Sequence, residues 1–380
     1  MKYLVMGAGR QGQAIAFDLA RHGEATRITL LDADESNLAR AKRRIPGGTK
    51  VKTISRGIQK GKEAVKLMRG HDAVVSAMTY RLNASLAKAA IKAGVHFCDL
   101  GGNTGVVEKQ LALDAKAQAA GVTIVPDCGL APGLANELAA MAIDETENAR
   151  HVRILCGGLP TEPEGPLGYS LLFSMEGLTN EYTGEAVVLR DGRIRRIEAF
   201  TECETAHGPR SLGPLEAFHT SGGASTAPWT FRRKLETYEY KTVRYPGHFE
   251  KVRAMIDLGL LDLEPVRAGS KRVVPRDLFH AVAEPRLAKK NVRDVAFLRV
   301  DCVDARGEGV RYQMLQPFDE KTGFSAMEQT TGYPAAVIAH ALARGELEPG
   351  ARTPERCGFG ATHLKELRKR GLRIRRYSLR

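Results

Sequence analysis

The sequence predicts an α/β protein: a doubly wound parallel sheet of Rossmann type, with an inserted α+β domain whose sheet is mainly antiparallel. Three observations predict it. An apolar stretch, Tyr3-Leu-Val-Met6, runs into Gly7-x-Gly9-x-x-Gly12 and then into an amphipathic helix. Strand and helix patterns alternate as far as about residue 126, as crossover-linked parallel strands do. From about residue 150, apolar runs follow one another across short turns, the pattern of antiparallel pairing.

The expected strands of the parallel part are 2–6, 27–31, 50–54, 72–77, 95–99 and 122–126. The helices between them are expected at 11–22, about 34–44, about 58–69, 82–93 and 105–120. Gly7 permits the tight turn out of the first strand, Gly9 lets a pyrophosphate approach the backbone, and Gly12 lets helix and strand pack closely. The free N–H groups and dipole of the first helix favour the phosphates' negative charge, which draws in Arg10 and Gln11 as neighbours. Asp32 ends the second strand twenty residues after Gly12, the spacing of an acid that binds a ribose 2′-hydroxyl. A carboxylate there repels a 2′-phosphate, so NAD is the expected cofactor rather than NADP, with Ala33 beside it. Arg56, after the third strand, is placed to stack on the adenine.

Ligands of such sheets bind at the carboxyl ends of the strands. That rim collects Ala77, Met78, Thr79 and Tyr80 after the fourth strand, Gly101 and Gly102 after the fifth, and Asp127 after the sixth. In the second part, His151–Leu155 is expected to be a strand stopping at Gly157-Gly158. Glu185–Ile197 reads as a hairpin turning on Asp191-Gly192, Leu235–Tyr245 as a long strand, and Asp294–Asp301 with Val310–Phe318 as a pair. Helices are expected at 248–258, after Pro275, and at 332–345 with Pro334 near its start. The resulting division is a discontinuous dinucleotide-binding domain, 1–130 plus 331–365, a substrate and oligomerisation domain, 131–330, and a basic tail, 366–380.

Composition narrows the class. With 43% hydrophobic and 27% charged residues the chain is ordinary for a globular protein, and 380 residues suggest two domains. No apolar run reaches the roughly 18 residues that span a bilayer, and strand residues begin at once, so a cytoplasmic protein without a leader is expected. The six cysteines show no CxxC pair or zinc-ligand spacing, so no metal is expected and reduced thiols are. The net charge of +13 lies partly in the tail, but no helix-turn-helix or aromatic interleaving accompanies it, which argues against nucleic acid.

Five segments carry a family resemblance: Asp99-Leu-Gly-Gly102, Val122-Thr-Ile-Val-Pro-Asp-Cys-Gly-Leu-Ala-Pro-Gly133, Phe173-Ser-Met-Glu-Gly-Leu178, Gly213-Pro-Leu-Glu-Ala-Phe-His-Thr-Ser-Gly-Gly223 and Lys241-Thr-Val-Arg-Tyr-Pro-Gly-His248. They resemble the saccharopine dehydrogenase-like superfamily, and within it the lysine 6-dehydrogenase branch most. The resemblance covers residues 1 to about 345. It implies a homo-oligomer that oxidises the ε-amine of L-lysine with NAD, releasing ammonia and a semialdehyde that cyclises to Δ1-piperideine-6-carboxylate. One departure is Ala131 in Gly129-Leu-Ala-Pro-Gly133, where saccharopine reductases carry an acid.

Amine oxidation needs the nitrogen lone pair free, so the site must take a proton from an ammonium of pKa about 10.4. His219 and His248, in Gly- and Pro-containing segments, are the expected base or relay, and Tyr80 is placed to meet both nicotinamide and substrate. Arg244 is the expected partner of the substrate carboxylate, and Glu176 that of its ammonium group. Thr220 and Ser221 are expected to hydrogen-bond the substrate and Asp127 to orient a reacting group. Two alternatives stand beside this reading. One is a dehydrogenase of secondary amines such as saccharopine or a carboxylated polyamine; the other is a non-catalytic dinucleotide sensor.

Overall fold

A computed structural model describes residues 1–380 except 48, 59, 60, 290, 291 and 359. The first sheet is parallel throughout. Its order is Gly350–Ala351, Thr123–Val125, His96–Asp99, Ala73–Ser76, Lys2–Met6, Arg27–Asp32 and Lys50–Ser55. The central strands are continuous apolar runs because helices cover both faces: Tyr3 and Val5 pack with Ile15 and Leu19 on one side, Leu4 and Met6 with Leu86 and Ala90 on the other. The order in which successive strands are added switches sides between Lys2–Met6 and Ala73–Ser76, and a ligand crevice is expected at such a switch point.

The second sheet runs Thr201–His207, Pro214–His219, Thr237–Arg244, His151–Pro160, Asp294–Val303, Gly309–Pro317 and Ile374–Leu379. The hairpin of Glu185–Arg190 and Arg193–Glu198 joins it at Thr237–Arg244. Its neighbours along this order are antiparallel except Thr237–Arg244 with His151–Pro160. One face packs Ile154, Leu298 and Tyr312 against Leu134 and Leu138 of the helix Leu134–Glu145. The helix Ala326–Ala343 lies between the two sheets, packing Tyr333 and Val337 into this core and Ala335 and Ile338 into that of the parallel sheet.

Several elements differ from expectation, each for a visible reason. The strand at 151 does not stop at Gly157-Gly158 but runs to Pro160. A Cβ on Gly157 would come within 2.5 Å of the Val243 carbonyl oxygen, and one on Gly158 within 2.6 Å of Met327 Sδ. These glycines admit neighbours rather than end the strand. The helix expected at 105–120 is two, Thr104–Leu111 and Asp114–Ala119, and after the break Asp114 Oδ1 accepts the Ala351 N–H at 2.8 Å. Pro334 falls inside its helix, because Ser325 and Glu328 form a capping box that starts it at Ala326. Of the helix expected at 58–69, Gly61–Met68 is formed, while residues 59 and 60 lie outside the described residues.

Residues 366–380 are not a free basic tail. The helix Gly360–Lys369 and the strand Ile374–Leu379 bury Leu364, Leu367, Leu372 and Ile374 in the core, and the strand pairs with Gly309–Pro317. Arg370 is buried against Asp18 of the first helix at 2.9 Å. Apolar spacing within a basic run thus outweighs its charge. No helix of the described residues is long and apolar enough to cross a membrane.

Candidate active site

The glycine turn fits a dinucleotide. Gly7 has φ +93°, and a Cβ there would lie 2.6 Å from the Ala77 carbonyl oxygen. A Cβ on Gly12 would meet the Gly7 carbonyl oxygen at 1.8 Å, so helix Arg10–His22 sits directly against the turn. A Cβ on Gly9 would meet nothing within 4 Å, which leaves open space above the helix N-terminus where a pyrophosphate would lie. Asp32 Oδ2 accepts the Ala8 N–H at 2.7 Å and Oδ1 the Asp34 N–H at 2.8 Å. These bonds hold its carboxylate at the end of the second strand, beside exposed Ala33.

Three residues of the expected cofactor set are engaged elsewhere. Arg10 donates to the Leu171 carbonyl at 2.8 Å and Gln11 to the Met327 carbonyl at 3.3 Å, so both tie the turn to the second domain. Arg56 pairs with Glu63 at 2.6 Å instead of lying free for an adenine. Ala77, Met78 and Thr79 follow the strand Ala73–Ser76 at the rim, and the Ala77 N–H donates to Met6 at 2.8 Å. Gly101 lies directly over Asp127: a Cβ there would come within 1.9 Å of Asp127 Oδ1. The Gly102 carbonyl accepts from Asn180 Nδ2 at 2.6 Å, which ties the rim to the helix Met175–Tyr182.

The expected cluster of His219, Arg244 and His248 does not form. Successive residues of a strand point to opposite faces. Along Thr237–Arg244, Tyr240, Thr242 and Arg244 face the crevice, whereas Glu239, Lys241 and Val243 face away. His219, opposite Lys241, points away too. Its Nδ1 donates to the Tyr240 carbonyl at 3.1 Å, and its Nε2 lies 3.3 Å from both Glu202 and Arg190. Burial and the Lys241 charge lower its pKa.

His248 starts the helix His248–Asp257 and is buried, with both ring nitrogens occupied. Nδ1 donates to the Leu167 carbonyl at 2.9 Å, so Nε2 accepts from the Tyr182 hydroxyl, also at 2.9 Å. Burial and the Arg244 charge push its pKa down to about 3, so it is a neutral acceptor without contact to the crevice. Neither histidine is placed to take a substrate proton.

Arg244 is likewise set back. Its side chain is 3% exposed, Nε donates to Tyr182 at 3.0 Å and Nη1 to the Val243 carbonyl at 2.9 Å. The guanidinium lies 4.8 Å and 5.8 Å from the ring centres of Tyr169 and Tyr182. In front of it, 3.7 Å from Nη2, is Glu181, 29% exposed. Burial lifts the Glu181 carboxyl to about 7 against the lowering effect of Arg244. Glu181, not Glu176, is the acid at the crevice; Glu176 pairs with Arg81 at 2.7 Å.

Glu181 lines a cavity of about 20 Å³ with Gly102, Thr220, Ser221, Gly223 and Tyr240. Thr220 shares a hydrogen bond with Thr242 at 2.7 Å, and Ser221 donates to the Asn180 carbonyl at 2.6 Å. Asp127 is fully buried beneath Gly101 and takes the Ser225 hydroxyl at 2.5 Å, so it supports the rim from behind. Burial raises its pKa well above the usual carboxylate range. Tyr80 begins a short turn at the rim, with the Arg81 guanidinium 5.9 Å from its ring centre and the Arg276 charge also acting on it. Arg276 donates to the Leu261 carbonyl at 2.7 Å and to Thr183 at 3.2 Å, and has no ion-pair partner among the described residues.

Sequence reasoning missed Glu181, Tyr182, Tyr169, Tyr240 and Arg276. For Glu181 a signal was present: an acid in the last turn of a helix opposes the dipole, so its presence needs a cation or a task.

The family model described as the saccharopine dehydrogenase NADP binding domain matches residues 3–125, and that described as the saccharopine dehydrogenase C-terminal domain matches 129–372. Saccharopine dehydrogenase [NADP(+), L-glutamate-forming] of Schizosaccharomyces pombe is 28% identical over 235 residues, which cover 59% of this chain and 51% of that protein. The Saccharomyces cerevisiae protein of the same name is 26% identical over 267 residues, covering 68% and 58%. The chain thus spans little more than half the length of these relatives. Among solved structures, apo saccharopine dehydrogenase (L-Glu forming) from Saccharomyces cerevisiae superposes with a TM-score of 0.77 at 19% identity, covering all of both chains. The homospermidine synthase of Legionella pneumophila in complex with NAD gives 0.68 at 12% identity, covering 99% of this chain and 91% of that one. At such identities the likeness is one of fold.

Proposed function

Because the chain belongs to the saccharopine dehydrogenase family, we propose that it oxidises the ε-amine of L-lysine with NAD, giving ammonia and 2-aminoadipate 6-semialdehyde. The semialdehyde then closes on its own α-amine to Δ1-piperideine-6-carboxylate. The observation that carries this reading is the polarity of the crevice, with Arg276, held by Thr183 and without an ion-pair partner among the described residues, at the rim and the carboxylate of Glu181 inside. An ω-amino acid has the complementary charges, a carboxylate at one end and an amine at the other. Arg276 therefore takes the carboxylate-binding role that Arg244 was expected to fill, and Arg244 positions Glu181.

The turn Gly7–Gly12 and Asp32 would hold the dinucleotide, whose nicotinamide supplies the hydride acceptor. Asp32 supports NAD by repelling a 2′-phosphate, although the curated relatives above are named as NADP enzymes. Tyr80, Gly102 and Ser221 border the space where the two ligands would meet.

The test is dinucleotide reduction measured over lysine, saccharopine, carboxylated polyamines and cadaverine, with NAD and NADP compared. Lysine with NAD is expected to be the best pair. Arg276→Gln is expected to raise KM for lysine about tenfold, the worth of one charge-assisted contact, while leaving that for cadaverine, which has no carboxylate, nearly unchanged. A second reading is oxidation of saccharopine, whose three carboxylates would have to be met by Arg276 and by an Arg81 released from Glu176. Activity on saccharopine without activity on lysine would select it.

A further inference from the structure

We infer that Glu181 takes the proton from the substrate amine and then, with a water held in the adjoining cavity, opens the iminium that results. The inference rests on the amine-oxidation reading and assigns its proton chemistry. Other candidates are excluded by position. His248 has both ring nitrogens occupied, His219 faces away, Asp127 lies beneath Gly101, and Glu176 is bound to Arg81. Glu181 alone among these acids and imidazoles lines the cavity next to Gly102.

The cavity of about 20 Å³ is the size that admits one water, and Glu181, Thr220, Ser221 and Tyr240 in its lining are residues that carry polar groups. The charged and titratable groups around Glu181 are Arg244 and Tyr240 on one strand, Cys156 on the next, Tyr182 on its own helix, and Tyr169. Burial pushes Cys156 and Tyr182 up to about 12 and raises Tyr169 and Tyr240 as well, so these stay neutral where Glu181 titrates.

The steps balance. Glu181 takes an N–H proton from the ammonium, which frees the nitrogen lone pair. The adjacent C–H bond breaks, its electron pair leaves as hydride to the oxidised nicotinamide dinucleotide, and the lone pair closes the C=N bond. Glu181 releases its proton to solvent on its exposed side. Water oxygen then bonds to the carbon, the C=N π pair returns to nitrogen, and the water's proton goes to Glu181. Glu181 returns that proton to nitrogen as the C–N bond breaks, and the hydroxyl gives its proton to the Glu181 carboxylate as the aldehyde forms, so ammonia leaves.

The experiment compares wild type, Glu181→Gln and Glu181→Asp across pH, following dinucleotide reduction and ammonia release together. Wild-type kcat/KM is expected to rise through about pH 7 as the carboxylate forms. Glu181→Gln is expected to lose that rise and at least about 10²-fold in rate, while Glu181→Asp keeps the rise at reduced rate. In Glu181→Gln, ammonia is expected to lag behind reduction in the first turnovers. If a folded Glu181→Gln keeps the rise and rate within threefold, or ammonia keeps pace, the inference is overturned while amine oxidation stands. If wild type oxidises no amine, the reading beneath it falls instead.

Discussion

The two faces of the strand Thr237–Arg244 carry similar side chains in opposite states of completion. On the outer face every charge is matched. Arg190 is shared between Glu202 at 2.5 Å and Glu239 at 2.8 Å, and Lys241 between Glu204 and the Glu202 carbonyl, each at 2.8 Å. On the crevice face, Arg244 stands 3.7 Å from its carboxylate, and burial raises the Glu181 carboxyl to about 7. A finished network has little left to offer a ligand. The unfinished one, where polar groups have been taken from water without full repayment in bonds, is where binding gains most.

That contrast is breakable. The largest effect is expected at Arg244. Arg244→Gln leaves Glu181 half-buried and uncompensated, which should cost about 3–5 kcal/mol of stability. It should also move the wild-type rise in kcat/KM to higher pH, since Arg244 holds Glu181 down; denaturant melts and a pH–rate profile read the two effects. An unmoved profile would show that Arg244 does not position Glu181.

Next comes His248, buried behind Tyr182. Its folded-state pKa of about 3 lies below the unfolded value of 6.5, so its contribution is complete above pH 6.5 and is lost as pH falls toward 3. Between pH 6.5 and 5 the loss should be about 2 kcal/mol, and His248→Asn should flatten that part of the stability curve.

The smallest effect belongs to the outer face. Lys241→Gln is expected to cost about 1 kcal/mol or less in a melt, because Glu204 keeps Arg153 at 2.6 Å and stays partly in water. Its kcat should remain within twofold. A large loss of turnover there would erase the distinction between the faces.

The parallel half was legible because its signals are local. Gly7, Gly9, Gly12 and the acid Asp32 have backbone or charge reasons that no distant partner alters. The second half was less so. Gly157 and Gly158 read as a stop because glycine is a poor strand former, but their cause, the Val243 carbonyl and Met327, lies far along the chain. His219 and His248 were singled out from motif context, yet strand parity alone sends His219 away from Arg244 once their strands pair. Glu181 gave only the weak sign of an acid at a helix end. Its meaning comes from Arg244 and the Gly102 loop, which only the folded chain assembles.

The strand Ile374–Leu379 closes the order of the second sheet, so it is one of that sheet's two open borders. The strand carries Arg375 and Arg376, with Arg373 and Arg380 at its ends, all exposed, and Arg376 pairs with Glu145 at 2.6 Å. Two molecules approaching border to border would bring these cations together before any backbone bond could form. A cluster of cations at a sheet border is the kind of charge that opposes strand addition by a like copy.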